Sequence, residues 1–301
     1  MALLGASLSV GLPWLASIWT PDLAPARAEE AIRSEITDDI LEIRFQSPPG
    51  QGDPGPSSDG GTRTGEGLGR QCPQEDSPPE LPMTMLLPET KMGLTVSEHP
   101  TFFVYVPATQ AKMGEFAIAD EHDLYDVYYT SFPLPKEPGI VRLTVPETAD
   151  ALELGKNYKW YFVIVCDPID RMANRSVSGF IKRTEPLANL PNTNISDSSA
   201  KRLLLELSRF YAKHGIWHET LTNLAELRLS QAQDPMLEKI WSGLLQSVGV
   251  DAKIASQPII ECCSDREDAN SSKSQVKSQK LQVKSQKLQV KSQKLQVKSQ
   301  R

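Results

Sequence analysis

The sequence has no Cys-x-x-Cys pair, no Gly-x-Ser-x-Gly elbow and no Walker-type phosphate loop. It therefore offers no motif for a thioredoxin-like, hydrolase or nucleotide-hydrolysing reading. Histidine is scarce, with four residues, and none is paired in sequence with a nucleophile as a base would be. Beyond the amino terminus no long apolar run occurs, so no transmembrane helix is expected in the mature chain. Acid is missing from Lys273 onward, where nine Lys/Arg stand alone, leaving 23 bases against 38 acids in the rest of the chain. The body thus carries about −15 and the tail +9, and an acidic body lacks the clustered cations that bind nucleic acid.

Residues Met1 to Trp19 carry no charge and are rich in Leu, Ala and Val, and Ala26-Arg27-Ala28 then supplies a small-x-small cleavage site. Residues 1–28 read as a secretory signal peptide, although no Lys or Arg precedes the apolar region. Residues 29–45 follow as a strand-like segment in which Leu41, Ile43 and Phe45 alternate. Residues 46–82 hold eight Pro and eight Gly in 37 positions and read as a disordered or extended linker.

Between 83 and 185 the apolar residues alternate at period 2 in short runs: Phe102 to Val106, Phe116 to Ile118, Tyr125 to Tyr129, Val141 to Val145 and Val177 to Ile181. The longest run, Leu152 to Cys166, is apolar on both faces and is expected to lie centrally, with a layer packed on each side. Tyr158, after Leu154-Gly155, stands where a sandwich turns a corner and a tyrosine hydroxyl bonds back to the preceding backbone. The expected class is α+β: an antiparallel immunoglobulin-like β-sandwich followed by a small three-helix segment, flanked by disordered linker and tail.

From 196 to 250 the period changes to about 3.6. Leu203, Leu207, Phe210 and Tyr211 make one buried face, Gly215 caps that helix, and Trp217 begins a second. Asp234-Pro235 supplies an N-cap and a first-turn proline for a third helix, which Gly249 closes. Residues 251–268 form a cysteine-containing extension. Residues 269–301 repeat Gln-Val-Lys-Ser-Gln-Lys-Leu, with Val and Leu spaced five and two apart. That spacing forbids a coiled-coil seam and predicts disorder.

Four cysteines, Cys72, Cys166, Cys262 and Cys263, fit an exported protein and allow three pairings. Bonding adjacent cysteines strains the intervening peptide, so long-range bridges from Cys262 and Cys263 to Cys72 and Cys166 are expected. A vicinal redox pair at Cys262/Cys263 is the alternative. His214, His218 and Glu219 have metal-ligand spacing, but Gly215 divides them between two helices, and His214 is explained by the dipole at a helix end. Asp120, Glu121 and Asp123, beside His122, lack the glycine and full ligand count of a calcium loop. Asn174 and Asn194 match glycosylation sequons.

Leu94 to Pro107, the Tyr-Lys-Trp-Tyr run ending in Cys166-Asp167-Pro168, and Gly215-Ile216-Trp217 followed by Leu224-Ala225-Glu226-Leu227-Arg228 resemble the cyanobacterial domain-of-unknown-function family DUF928. The similarity spans about Arg63 to Cys263 and takes in all four cysteines. It implies a secreted or periplasmic protein and brings no activity, cofactor or site residue with it. The expectation is a non-enzymatic exported binding or structural module, engaging a protein or glycan at the cell envelope, with no catalytic, cofactor or metal residues. The alternatives are a metal-assisted enzyme using His214, His218 and Glu219, or a thiol redox protein using Cys262 and Cys263.

Overall fold

A computed structural model describes residues 42–48, 72–76, 79–120, 126–191 and 200–262, all within the unit Leu41–Arg301. The signal-peptide segment, the Glu121–Asp123 turn, Cys263 and the repeat tail lie outside the described residues.

Among the described residues nine strands form two sheets. Strands β1 (Thr84–Met85), β3 (Thr101–Val106), β6 (Gly139–Thr144) and β9 (Ile259–Glu261) make one, in the order β1-β3-β6-β9. Strands β2 (Met92–Thr95), β4 (Met113–Asp120), β5 (Asp126–Pro133), β7 (Asn157–Val165) and β8 (Arg175–Arg183) make the other, in the order β2-β8-β7-β4-β5. The sheets face one another: the Phe102 ring of β3 lies 4.8 Å from Phe116 of β4 and 5.0 Å from Trp160 of β7.

Two pairings depart from an antiparallel sandwich. β2 runs parallel to β8, and β6 runs parallel to β9. Parallel neighbours need a long crossover, and both have one. The whole sandwich separates β2 from β8, and the helices separate β6 from β9. The α+β class therefore stands, but both sheets are mixed. β9 and the four-residue helix before it occupy the described part of the cysteine-containing extension, which thereby joins the sandwich edge.

The strand expected to be covered on both faces is central, with one face fully buried and the other partly so. β7 lies between β8 and β4 and buries Tyr158, Trp160, Phe162 and Ile164 on one face, while on the other Lys159 and Val165 are buried and Tyr161 and Val163 half-buried. β3 is buried along all six of its residues, as are the shorter β1 and β2. Phe102 enters the space between the sheets, and Phe103, on the opposite face, meets Trp241 of a helix edge-on at 6.2 Å. The expected corner bond is present: Glu153 N–H donates to the Tyr158 hydroxyl at 2.9 Å, beside Gly155 at φ +74°.

The helices are α1 (Ala200–Lys213), α2 (Trp217–Ser230), α3 (Pro235–Ser247) and the short α4 (Ala252–Ala255). α1 ends as its glycine predicts. Gly215 has φ +72°, Ile216 N–H donates to Tyr211 O at 2.9 Å and Gly215 N–H to Ala212 O at 3.2 Å, a Schellman closure that leaves one residue before α2. Gly249 closes α3 in the same way, with Val250 N–H on Leu245 O at 3.0 Å. Asp234 caps α3 by accepting from Met236 and Leu237 N–H. Arg228 locks α2 to α3 and α4: it pairs with Glu238, donates to Gln257 O and lies over the Trp241 ring.

The strand expected over 29–45 is not a strand in its described part, because 42–48 joins no sheet. Instead it straps the α1–α2 turn. Phe45 meets Trp217 edge-on at 4.9 Å, Gln46 N–H donates to Ala212 O, and Pro48 fills the space where a Cβ on Gly215 would lie. Replacing Phe102 by Ala should remove about 3–5 kcal/mol of stability, read as a lowered urea midpoint, because the ring fills the junction of both sheets.

Candidate functional site

Two clusters of polar side chains occupy opposite situations in the fold, one sealed and one open.

The sealed cluster is the first turn of α2. The Trp217 indole N–H donates to Leu86 O at 2.8 Å. His218 Nδ1 donates to Thr101 O at 2.9 Å, and its ring meets Phe102 edge-on at 5.0 Å. Glu219 Oε1 accepts from the Thr95 hydroxyl at 2.6 Å and from Val96 and Ser97 N–H, both at 3.1 Å. Three consecutive residues thus tie one helical turn to three segments of the two sheets.

Burial governs the ionisation of this cluster. Desolvation lowers the His218 pKa to about 4, opposed by the bond to Thr101. Desolvation also pushes the Glu219 carboxyl up, against the pull of its Thr95, Val96 and Ser97 donors. His218 Nε2 and Glu219 Oε2 are buried with no hydrogen-bond partner. The Nε2 edge presses on β2, where a Cβ added to Gly93 would stand 2.4 Å from it. His214, by contrast, is exposed on the far side of Gly215, with its Nδ1 on Phe210 O and its ring 4.3 Å from the Phe210 ring. His214, His218 and Glu219 do not converge, and no group of three potential metal ligands forms among the described residues.

The open cluster lies around Cys166. Cys72 and Cys166 are joined to each other across 94 residues, which corrects the expectation that each pairs with Cys262 or Cys263. Cys72 lies at 5.1 Å Cα to Cα from Cys166, fully buried against the end of β7, whereas Cys262 follows β9 on the other sheet. Cys262 is itself disulfide-bonded.

A buried ion pair supports this bridge. Glu75 accepts from Cys72 N–H at 2.9 Å, from the Thr109 hydroxyl at 2.5 Å and from Gln110 N–H at 3.2 Å, and it faces Arg175 Nη2 at 3.5 Å. Both side chains of that pair are under a tenth exposed. Desolvation lowers the Arg175 pKa and the Glu75 charge opposes it. Gln74 Nε2 donates to Cys166 O at 3.2 Å, so a stretch with linker composition is anchored at 72–76.

From this base springs the loop 166–174 between β7 and β8. Asn174 Oδ1 accepts from Cys166 N–H at 3.0 Å and closes it. Asp167 Oδ1 accepts from Ile169 and Asp170 N–H, bonds that lower its pKa. Asp170 caps a 3-10 turn, Arg171–Ala173, by accepting from Met172 N–H. Arg171 reaches back to β4 and grips both carboxylate oxygens of Glu115, which raises its pKa. The loop's own side chains thus satisfy much of its backbone, and Ile169 and Met172 stand 94% and 93% exposed at its tip.

Sequence reasoning had found Cys72 and Cys166, and Asp167-Pro168 only as part of a recognisable run. It missed Glu75 and Arg175, which nothing in composition marks, and also Ile169 and Met172. Asp167-x-x-Asp170 was the available signal, since aspartates so placed make Asx turns.

Replacing Gly93 by Ala should force the His218 ring from its seat and cost about 1–3 kcal/mol in chemical denaturation. Replacing Cys72 and Cys166 together by Ser should cost about 2–5 kcal/mol in the same assay. Mass mapping of the unreduced chain should return the Cys72–Cys166 peptide pair.

A family described as Domain of Unknown Function (DUF928) matches residues 58–259. No curated protein and no solved structure gives a significant match to the chain.

Proposed function

The chain belongs to the DUF928 family, and we propose that it works as a non-enzymatic exported binding module of the periplasm or cell surface whose contact element is the β7–β8 loop. The observation that carries this reading is the pair Ile169 and Met172, almost wholly exposed on a loop braced by a disulfide, an Asx turn and a bidentate Arg171–Glu115 pair. Preorganisation of this kind lowers the ordering cost of association. The Cys72–Cys166 disulfide supports an oxidising compartment.

The chemistry of the tip favours a protein partner. Ile169 and Met172, both almost wholly exposed on one short loop, suit an apolar socket. Asp167 and Asp170 flank them, and Glu115 pairs with Arg171. The matching socket therefore carries lysine or arginine at its rim. An anionic lipid or nucleic acid surface would be repelled by the same aspartates and by the acidic body.

Replacing Ile169 and Met172 together by Asp should abolish recovery of a specific partner from a periplasmic extract while leaving the unfolding midpoint within about 0.5 kcal/mol of the parent. Recovery unchanged by the double substitution, or no partner recovered in repeated experiments, would overturn this reading.

A further inference from the structure

The first turn of α2 is bonded as a joint, and one of its three side chains is held in a form that acid would change. We propose that this turn is a proton-operated latch: the helical layer stays seated on the two sheets only while the His218 imidazole is neutral, and protonation releases it. The inference is independent of what the β7–β8 loop binds.

The hydrogen-bond arrangement states the requirement. Thr101 O can only accept, so Nδ1 carries the proton of the neutral ring and Nε2 is bare. A second proton would go to Nε2, which is buried, has no partner and faces the Gly93 backbone. Protonation would therefore bury an unpaired N–H and a charge beside the edge-on Phe102 ring, and would do so in the first turn of a helix, where the dipole already opposes a cation. Seating and charging exclude each other.

The residues of β2 and β3 found against the ring, Gly93, Thr101 and Phe102, carry no charge. Burial and the Thr101 bond are the causes that act on His218; Glu219 follows it on the same turn and, with burial, pushes up the phenol of Tyr211 of α1. Glu219 acts in the opposite direction to His218. Its raised pKa means the seated state takes up that proton before the open state does, so acid favours seating through Glu219. The carboxylic acid still accepts at Oε1, and its three donors remain served. His218 has a seated pKa of about 4 against an ordinary 6.5, so the open state binds the extra proton across that window. Seating is full above about pH 6.5 and is lost progressively as pH falls towards 4, by on the order of 10²-fold less what Glu219 returns.

The test is residue-level hydrogen exchange on the full oxidised chain between about pH 7 and pH 4, corrected for intrinsic rates. Acid should weaken protection across α1 to α3 and at the Val96 and Ser97 amides, while β4 and β7 keep theirs. In His218→Gln, whose amide can still donate to Thr101 O, that acid step should disappear. In Glu219→Gln, whose neutral amide mimics the protonated acid, seating should be firmer at pH 7 and the loss of protection between pH 7 and pH 4 larger than in the unaltered chain, because no carboxyl offsets the charging of His218. Equal loss of protection in sheets and helices, or the same acid step in His218→Gln, would overturn the latch. Should His218→Gln fail to fold, the imidazole nitrogen resonances of the unaltered chain decide. Charging of His218 near pH 6.5 with the helices still protected contradicts the proposal, whereas charging that coincides with release supports it.

Discussion

The structure depends on one turn of helix. Trp217, His218 and Glu219 of α2 bond to Leu86 O, to Thr101 O, and to the Thr95 hydroxyl with the Val96 and Ser97 N–H groups, so a single element touches both sheets at once. Sheets packed face to face are held mainly by non-directional apolar contact. The three bonds add direction, and their burial makes each costly to leave unmade. Gly93 is part of the same joint, since any side chain there would occupy the imidazole's place.

Chain order and spatial order diverge around that joint, and the divergence binds the domain together. The helices follow the eight strands in sequence, yet the chain returns after them to lay β9 beside β6. Arg142 of β6 pairs with Glu226 of α2 and Glu261 of β9, while Arg228 pairs with Glu238 of α3. Glu226 and Arg228 thus serve architecture, though they stand within one of the most recognisable stretches of the sequence. At the other end Cys72–Cys166 and the Glu75–Arg175 pair root the β7–β8 loop. The fold therefore has a closed end built for cohesion and a loop with its apolar side chains turned outward.

Local signals were legible in the sequence, and long-range pairings were not. Gly215, Gly249 and Asp234-Pro235 placed the helix boundaries, because caps depend on backbone conformation within a few residues. Six of the strands showed as alternating runs. β1, β2 and β9 did not, being two to four residues long and defined only by the strand they pair with. The sandwich followed from alternation, whereas the parallel pairs β2–β8 and β6–β9 depend on crossovers that periodicity does not encode. β7 looked like the doubly covered strand because it is long and aromatic. β3 is more completely covered, because Phe102 and Phe103 face a sheet and a helix respectively. His218 and Glu219 stood out as ligand-like, and their roles became visible only once Thr101 and Thr95 were brought beside them.

If the first turn of α2 joins helices and sheets into one unit at neutral pH, they must unfold together. The direct measurement is equilibrium urea unfolding at about pH 7, followed in parallel by the helical far-ultraviolet signal and by tryptophan fluorescence. The account predicts coincident transitions with one midpoint. A helical signal lost at distinctly lower urea than the fluorescence change would contradict it.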